Sequence, residues 1–428
     1  MISKYSTMIS VITIIFQTSV LAQQGWFSQS AGYEYGHYAV YFINADTGWV
    51  TREIGTIMKT TDGGNNWTEK WINNYYHPTD LYFLNSQVGW MTADNMRIFK
   101  TIDGGESWSL QFENTLYIPK RNYCTLRSVS FVDEQVGYAV GGFTDSTYSD
   151  SAVLLKTTDG GANWSFQYAG DHDFYLWEVL FIDRDHGWIC GERGHIFYTS
   201  NGGLEWNPQN SNTDQHLWSI SFVDQNIGWI VGGGGIILKT ENSGDGWIQQ
   251  QSPTSCDLFS LCFFNKWIGY ACGLEGTIIK TTESGADWIL QTSGTNEGLM
   301  DICFVSPDTG WVVGWRHGTI LKTLNGGVGT NSIEENNTVL PAEIVLFQNY
   351  PNPFNATTTI TFNSHTSDAF DLELFDIGGR RPGVLYSGIS KIGLNKIALD
   401  AKGLSSGIYF YVLHTGGKKI SRKCLLVK

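Results

Sequence analysis

Charged side chains are scarce in this chain, and those of positive sign are the scarcer. Only 16% of the 428 residues are charged, and 41 acidic against 27 basic residues give a formal net charge of −14. Proteins that bind nucleic acids neutralise phosphates with clustered Lys and Arg. The sequence therefore predicts no nucleic-acid partner.

The short motifs of common catalytic and metal centres are also missing. The seven cysteines form no C-x-x-C pair and have no His at the spacing of a zinc site. There is no H-E-x-x-H, no G-x-S-x-G and no dinucleotide fingerprint. The glycine run at residues 232–235 lacks the Lys-Ser/Thr that completes a phosphate-binding loop. We therefore predict no metal and no cofactor, and we expect buried free thiols, because several cysteines lie inside apolar strand segments.

Long apolar stretches are lacking except near the N-terminus. Lys4 precedes an apolar stretch over residues 8–20, and Val20-Leu21-Ala22 resembles a cleavage site before Gln23. No other segment approaches the roughly 20 apolar residues of a membrane-spanning helix. We predict that residues 1–22 are a secretory signal peptide and that the mature chain has no transmembrane span. A buried first strand is the alternative.

Glycine (49 residues) and aromatic residues (14%) are abundant, and they recur with a period of about 41 residues. Each unit has an apolar strand ending in Phe, a polar turn, a Gly followed by Trp or Tyr, and two further strands around a Gly-rich turn. The repeated Gly occurs at Gly48, Gly89, Gly137, Gly187, Gly228, Gly269 and Gly310. Seven units of about four short strands predict an all-β fold, a seven-bladed β-propeller over residues 23–327.

The seventh unit lacks its last strand. No Trp stands three residues after Gly327, whereas Trp26 lies 41 residues before Trp67 and begins the W-x-x-Q pattern found in other units. We expect the segment after Trp26 to complete the seventh blade, which would close the ring and remove two sheet edges.

In the first four units, the turn before the fourth strand has the form T-x-[DN]-G-G-x-x-W. An Asp or Asn can bond the backbone of its own turn, glycines accept positive φ, and the Trp can pack between sheets, so we interpret these residues as structural. In the first four units they are Asp62, Trp67, Asp103, Trp108, Asp159, Trp164, Asn201 and Trp206. The turn resembles the Asp-box, also called the bacterial neuraminidase repeat.

The whole unit, with its G-[WY]-x-x and K-T-x-[DN]-G-G-x-x-W segments, resembles the propellers of the photosystem II stability and assembly factor family over residues 23–330. It is also similar to the lumenal propeller of sortilin-type receptors and to the blades of sialidases and xyloglucanases. Because these relatives have different functions, the resemblance implies a fold and no ligand.

A polar stretch at residues 328–343 has no periodicity, and we interpret it as a linker. Residues 344–428 have the alternation of a small antiparallel β-sandwich. They contain Q-N-Y-P-N-P-F-N at 348–355, L-F-D-I-G-G-R at 374–380, L-S-S-G-I-Y at 404–409 and a Lys-rich tail.

These motifs closely resemble the type A C-terminal sorting domain of the type IX secretion system. The resemblance implies export by that machinery, into the medium or to the outer-membrane surface of a Gram-negative bacterium, with the domain removed or used for attachment. A generic Ig-like adhesion module is the alternative.

We expect a ligand to bind on the propeller face opposite the Asp-box turns, which collects hairpins and blade connections rich in aromatic residues. Aromatic rings provide contact area, and the hydroxyl of Tyr and the N–H of Trp provide hydrogen bonds, so such a face suits a carbohydrate or a protein partner. The sequence thus favours a non-enzymatic binding protein for a protein or glycan. The candidate ligand-binding residues are Tyr75, Tyr76, His77, Tyr123, Arg127, His172, Tyr175, Trp177, Trp315 and Arg316.

Three acids, Asp80, Glu178 and Asp301, occupy equivalent positions just before the inner apolar segments. We expect them to line the central channel, either solvated or in contact with a cation or sugar. Because glycosidases need two positioned carboxylates, these residues carry an alternative hypothesis, a secreted glycoside hydrolase of sialidase-like or xyloglucanase-like type. No sialidase arginine set is recognisable, so binding is favoured and enzymatic activity stays open.

Overall fold

A computed structural model divides the chain into two compact units, Met1–Ser332 and Ile333–Lys428. It describes residues 25–29, 35–72, 76–114, 123–144, 150–170, 174–327, 344–346, 349, 355–364, 367–391, 393–415 and 418–427. The expected signal peptide and linker, Tyr75, His172 and the side chain of Tyr123 lie outside the described residues. The expectations for them stay predictions, as do the domain boundaries.

The described part of the first unit consists of short strands and three single 3-10 turns. The strands are β1 (Phe27–Ser28), β2 (His37–Phe42), β3 (Gly48–Arg52), β4 (Thr56–Thr60), β5 (Thr68–Trp71), β6 (Pro78–Phe83), β7 (Gly89–Ala93), β8 (Arg97–Thr101), β9 (Ser109–Glu113), β10 (Tyr123–Phe131), β11 (Gly137–Thr144), β12 (Asp150–Thr157), β13 (Ser165–Gly170), β14 (Leu176–Phe181), β15 (Gly187–Gly191), β16 (Ile196–Thr199), β17 (Asn207–Gln209), β18 (Leu217–Phe222), β19 (Gly228–Gly232), β20 (Ile237–Thr240), β21 (Ile248–Gln249), β22 (Leu258–Phe263), β23 (Gly269–Gly273), β24 (Ile278–Thr281), β25 (Ile289–Gln291), β26 (Leu299–Phe304), β27 (Gly310–Gly314) and β28 (Ile320–Thr323). The 3-10 turns are Glu192–Gly194, Gly233–Gly235 and Leu274–Gly276.

These strands form seven antiparallel four-stranded sheets. Six sheets take four consecutive strands each, from β2–β5 through β22–β25, and the seventh joins β26, β27 and β28 to β1. The innermost strand of every sheet contacts the innermost strands of its two neighbours, and β26 contacts β2, so the contacts run around a complete circle. The predicted seven-bladed propeller is confirmed.

The N-terminal strand closes the ring as expected. In the pairing of β1 with β28, Phe27 lies opposite Lys322, and the backbone N–H of Gln29 donates to the carbonyl of Ile320 at 2.8 Å. Trp26 is buried, and its ring meets Phe304 edge-on with centroids 5.8 Å apart. Each other blade repeats this edge-on contact between its fourth-strand Trp and its inner Phe.

The junctions between blades are built from the aromatic residue of the G-[WY] pair. This ring stacks on the inner Phe of the next blade, as Trp49 does on Phe83, and the seven stacked pairs have centroids 3.5–3.8 Å apart. The Nε1 of Trp49 also donates to the carbonyl of Gly104, in the Asp-box turn of that next blade, at 2.9 Å. The repeated motifs therefore hold neighbouring sheets together.

The Asp-box turns have the internal bonds that the interpretation as structural residues requires. Asp62 Oδ1 accepts the hydroxyl of Thr60 at 2.9 Å and the backbone N–H of Asn66 at 2.8 Å. Gly63 and Gly64 have φ values of 71° and 91°, which favour glycine. Corresponding bonds to the side chains of the equivalent Asp or Asn close the next three turns.

The described part of the second unit contains seven strands in two sheets. They are β29 (Val345–Leu346), β30 (Thr357–Ser364), β31 (Ala369–Asp376), β32 (Gly383–Ile389), β33 (Gly393–Asp400), β34 (Gly407–Thr415) and β35 (Lys418–Leu426). The sheet orders are β29-β30-β33 and β32-β31-β34-β35. Leu346 and Phe362 from the first sheet share one buried cluster with Leu372 and Tyr411 from the second. This unit is thus a small antiparallel β-sandwich, as predicted.

All seven cysteines are free thiols. Cys190, Cys272 and Cys424 are buried, and the other four are partly exposed. Within the described residues, the structure contains no helix with the length and apolar character needed to cross a membrane.

Ring closure by β1 leads to a stability prediction. Replacing Trp26 by Ala should lower the free energy of unfolding of the propeller by about 3–5 kcal/mol, because it removes a buried aromatic side chain from the last junction. Thermal or urea unfolding of the secreted full chain measures this change. Trp71→Ala is the control, because Trp71 is 57% exposed on the outer strand β5. Equal destabilisation by the two changes would contradict closure by the N-terminal strand.

Candidate functional site

Every inner strand carries a β-bulge at the same position. In β6, Pro78 pairs with Ala93 and Asp80 with Thr92, so Thr79 is the extra residue. The same irregularity occurs in the other six inner strands. Bulges redirect side chains next to binding sites. Here they place seven side chains, which we call the mouth residues, around one end of the channel. The mouth residues are Tyr38, Thr79, Arg127, Trp177, Trp218, Phe259 and Met300.

The mouth residues enclose a cavity of about 460 Å³, which Glu192 and His216 also border. Its walls are four aromatic rings and one Met, with few polar groups, and Trp218 and Phe259 contact each other with centroids 5.0 Å apart. Because Glu192 belongs to a second-to-third hairpin, the cavity opens on the face opposite the Asp-box turns. Both its volume and its mixture of rings with a few polar groups are typical of ligand sites.

Arg127 brings a positive charge into this cavity. Its Cζ lies 4.7 Å from the centroid of the Trp177 ring, a cation–π contact. Its Nε is buried and has no hydrogen-bond partner among the described residues. Burial lowers the pKa of Arg127, but a guanidinium stays charged in proteins. The negative charge of Glu192 also acts on Arg127, and Glu192 Oε2 accepts the backbone N–H of Tyr175 at 3.1 Å.

Trp177 adds a second unused donor to the same wall. Its indole Nε1 is buried and lacks a hydrogen-bond partner within the described residues, like Arg127 Nε. Tyr38, by contrast, already donates to Glu53 Oε1 at 3.1 Å. A buried donor left without an acceptor costs about 1–3 kcal/mol. What suits this wall to a ligand with an anionic group is the charge of the Arg127 guanidinium, which lines the cavity.

A narrower polar ring lies next to the mouth, one residue further along each inner strand. Its members line a space of about 120 Å³, and six of the seven have polar side chains. The three acids accept backbone N–H groups from the following blade: Asp80 from Val129 at 2.9 Å, Glu178 from Ile220 at 2.7 Å, and Asp301 from Val40 at 2.7 Å. Serines at equivalent positions do the same, as Ser219 does for Leu261 at 3.0 Å. We call these side chains the channel girdle. The members of the channel girdle are Ala39, Asp80, Ser128, Glu178, Ser219, Ser260 and Asp301.

Burial raises the pKa of all three acids of the channel girdle. The values are about 7 for Asp80, about 8 for Glu178 and about 6 for Asp301. A carboxyl with such a pKa can act as a general acid near neutral pH. In the structure, however, each acid has a structural role, because its carboxyl oxygen accepts a backbone N–H of the following blade.

The remaining described candidates do not line the mouth cavity, although Tyr175 adjoins it, with its ring 6.3 Å from that of Trp177. Tyr76 packs against Phe99 and under the guanidinium of Arg97, and His77 is exposed. The buried Tyr175 has its hydroxyl 2.7 Å from Thr144 Oγ1. Trp315 is exposed, with Arg316 5.2 Å above its ring. Of the described candidates, the cavity brings together only Arg127 and Trp177.

Sequence reasoning missed five mouth residues, Tyr38, Thr79, Trp218, Phe259 and Met300. Each stands one position before a member of the channel girdle, so an alignment of the repeats contains them. The alternation of a regular strand, however, places adjacent residues on opposite faces. The bulge interrupts this alternation, and the sequence of a single repeat contains no signal that predicts the bulge.

The family comparisons agree with this architecture. Residues 72–169 and 166–252 match the family described as photosynthesis system II assembly factor YCF48. Residues 348–428 match the secretion system C-terminal sorting domain. A photosystem II assembly lipoprotein Ycf48 from Synechococcus sp. (strain CC9902) is 31% identical over 81 residues, which are 18% of this chain and 22% of that protein. The matched segment thus spans about a fifth of the curated relative.

Solved structures show the same propeller fold. YCF48 bound to D1 peptide has a TM-score of 0.56 at 20% identity, covering 70% of this chain and 97% of that one. YCF48 from Cyanidioschyzon merolae has a TM-score of 0.56 at 18% identity, covering 70% and 98%. The WD40 propeller domain of Doa1 has a TM-score of 0.54 at 11% identity, covering 70% and 96%.

The protein is therefore an exported β-propeller. More particularly, its propeller is similar to YCF48 and is followed by a type IX secretion system sorting domain, which indicates a secreted or cell-surface protein.

The channel girdle predicts an unusual dependence of stability on pH. Because the folded pKa values of its acids are raised, the unfolded chain releases these protons first, near pH 4. Stability of the propeller should therefore fall as the pH rises from about 4 to 8. Asp80→Asn and Glu178→Gln keep an acceptor but remove the charge. Each should reduce the loss of stability between pH 5 and pH 8 by about 1 kcal/mol or more.

Urea unfolding of the full chain at pH 5 and pH 8 tests the effect. Asp245→Asn, at an exposed turn outside the channel, is the matched control and should leave the slope unchanged. If the two girdle variants keep the slope of the unaltered chain, the buried acids are not its source.

Proposed function

We propose that the propeller is a non-enzymatic binding domain, exported to the medium or to the outer-membrane surface of a Gram-negative bacterium, that binds an extended segment of a partner protein at the channel mouth. The observation that carries this proposal is the positively charged guanidinium of Arg127, held over the Trp177 ring, in a cavity walled by aromatic rings. A peptide segment with a carboxylate beside an apolar side chain satisfies both features.

The polarity of the cavity favours a protein segment over a glycan. A sugar presents hydroxyl groups in many directions, and each one that is buried needs a partner. Apart from the indole N–H groups, the cavity offers the polar groups of Arg127, Thr79, Glu192, His216 and Tyr38, and the Tyr38 hydroxyl already bonds to Glu53. Its rings and Met300 instead suit apolar side chains, which lose water on burial.

The charge of the chain adds selectivity. A chain with net charge −14 repels acidic partners in general. An acidic segment can therefore bind only where a local cation outweighs that repulsion, and Arg127 supplies one. The solved relative in complex with D1 peptide supports a peptide ligand by analogy of fold.

A peptide array tests the proposal directly. The probes are fluorescent ten-residue peptides with Asp, Glu or a free C-terminal carboxylate beside Leu or Phe, together with their amidated and Asn or Gln counterparts. We expect the mature full chain to bind acidic-apolar peptides, and Arg127→Gln to weaken binding by tenfold or more, because the charge-assisted bond is lost.

Two further variants sharpen the test. Trp177→Phe keeps the ring but removes the indole donor, so it should weaken binding less than Arg127→Gln. Arg316→Gln removes an exposed cation outside the cavity and should leave binding unchanged. Loss of binding by Arg316→Gln alone would place the ligand elsewhere on this face.

The glycoside hydrolase stays the second candidate, because Asp80, Glu178 and Asp301 have raised pKa values in a space that joins the mouth. Incubating the mature chain with a polysaccharide panel separates the two functions. Reducing-end release that disappears in Glu178→Gln would establish hydrolysis and reject the pure binder. Retention of a polysaccharide without release would indicate a glycan ligand instead of a peptide.

A further inference from the structure

The outer face of the larger sheet of the sandwich carries an apolar patch. In β34, Tyr409, Tyr411 and Leu413 are buried in the core, so the alternating Ile408 and Phe410 lie on the opposite face. In β35, Cys424 and Leu426 are buried, so Leu425 lies on that outer face, and Val427 follows it. We call Ile408, Phe410, Leu425 and Val427 the outer patch. Their exposed fractions run from 36% to 51%.

The outer patch is continuous and confined to one end of the sheet. Ile408 lies directly opposite Leu425, and Phe410 lies between Phe375 of β31 and Lys423 of β35. The other end of the same face is polar, since His414 lies between Asp371 and Lys419. An antiparallel sandwich normally exposes polar residues on its outer faces. A local apolar patch in this position marks an interaction surface.

Charge distinguishes this unit from the rest of the chain. Residues 344–428 contain ten Lys and Arg against five Asp and Glu, a net charge of +5. The remaining residues contain 17 basic and 36 acidic side chains, a net charge of −19. Lys423 lies opposite Phe410, and Lys419 lies on the same face of β35, four residues before Lys423 and towards the polar end of the sheet. A partner for this surface therefore needs an apolar area bordered by carboxylates.

We propose that the outer patch is the surface by which the folded sorting domain docks on a component of the type IX secretion machinery that presents an apolar area with an acidic rim. The sorting-domain match spans residues 348–428, so the features that the machinery recognises lie within this unit. Within the described residues of this unit, the outer patch combines exposed apolar area with the neighbouring Lys423. This proposal is independent of the ligand of the propeller.

The first experiment measures export of the full chain in a host with a type IX secretion system. We expect the double variant Ile408→Ser/Phe410→Ser to reduce the amount in the medium and at the surface by tenfold or more, with folded protein accumulating in the periplasm. Ile389→Ser is the matched control, because Ile389 is exposed and pairs with Ala369 at the other end of the same sheet. It should be exported normally.

A charge-reversal pair covers the case in which the apolar variants misfold. Lys419→Glu/Lys423→Glu changes exposed residues of β35 and should also lower export several-fold. Lys391→Glu/Lys402→Glu, which changes exposed residues away from the patch by the same net charge, should not. Thermal unfolding of each purified variant shows whether the sandwich is intact.

Three results would overturn the proposal. The first is normal export of both the apolar and the charge-reversal variants. The second is equal loss of export in the two control variants, which would indicate a requirement for net charge or general stability. The third is unchanged export together with a change in oligomeric state or in binding to anionic vesicles for Ile408→Ser/Phe410→Ser, which would assign the patch to a second copy or to a lipid surface.

Discussion

The stacking of an inner Phe on the aromatic ring of the preceding blade is the interaction on which the propeller depends. Phe42 lies opposite Gly48 in its own sheet, and a Cβ at Gly48 would stand 2.4 Å from the Phe42 ring. Only glycine leaves room for the ring to lie across the second strand and reach Trp311 of the neighbouring blade. The Gly of the G-[WY] pair is thus fixed by this close approach, and its Trp or Tyr by the next junction.

The same junctions extend outwards and inwards from the stack. Outwards, the indole or phenol of the stacked ring bonds to the carbonyl of an Asp-box turn, as Tyr138 does to Gly202 at 2.7 Å. Inwards, the polar side chains of the channel girdle accept backbone N–H groups of the following blade. Ala39 has no side-chain acceptor, and the N–H of Leu81 in the following blade bonds instead to Asp80 Oδ1 of its own strand at 2.8 Å. Three layers of contact therefore fix every pair of neighbouring blades except the first and second, where the girdle bond is missing. A rigid ring of this kind holds the mouth residues in place without help from a ligand.

Site and scaffold use neighbouring residues of one strand. Glu178 of the channel girdle bonds to the next blade, while Trp177 beside it turns into the mouth cavity because of the bulge. A binding surface made in this way can vary at the bulged position without disturbing the junction. Tyr, Thr, Arg, Trp, Phe and Met all occur there, whereas the adjacent girdle position is restricted to small or acceptor side chains. The mouth residues, which differ from blade to blade, are thus separate from the girdle residues, which stabilise the ring.

Much of the architecture could be read from the sequence, because it repeats. The period placed Gly48 and its six equivalents, the displaced Trp26 predicted closure by the first strand, and the motifs after residue 344 indicated the sorting domain. These features depend on local order along the chain, which a sequence displays directly.

The binding site was less accessible: Arg127 and Trp177 were among the candidates, but Tyr38, Thr79, Trp218, Phe259 and Met300 were not. Only the tertiary structure decided that seven bulges converge on one cavity, that the Arg127 guanidinium lies over the Trp177 ring there, and that the acids beside them bond one blade to the next. Each of these facts depends on residues about 41 positions or more apart meeting around the axis, and no pattern within one repeat records that meeting.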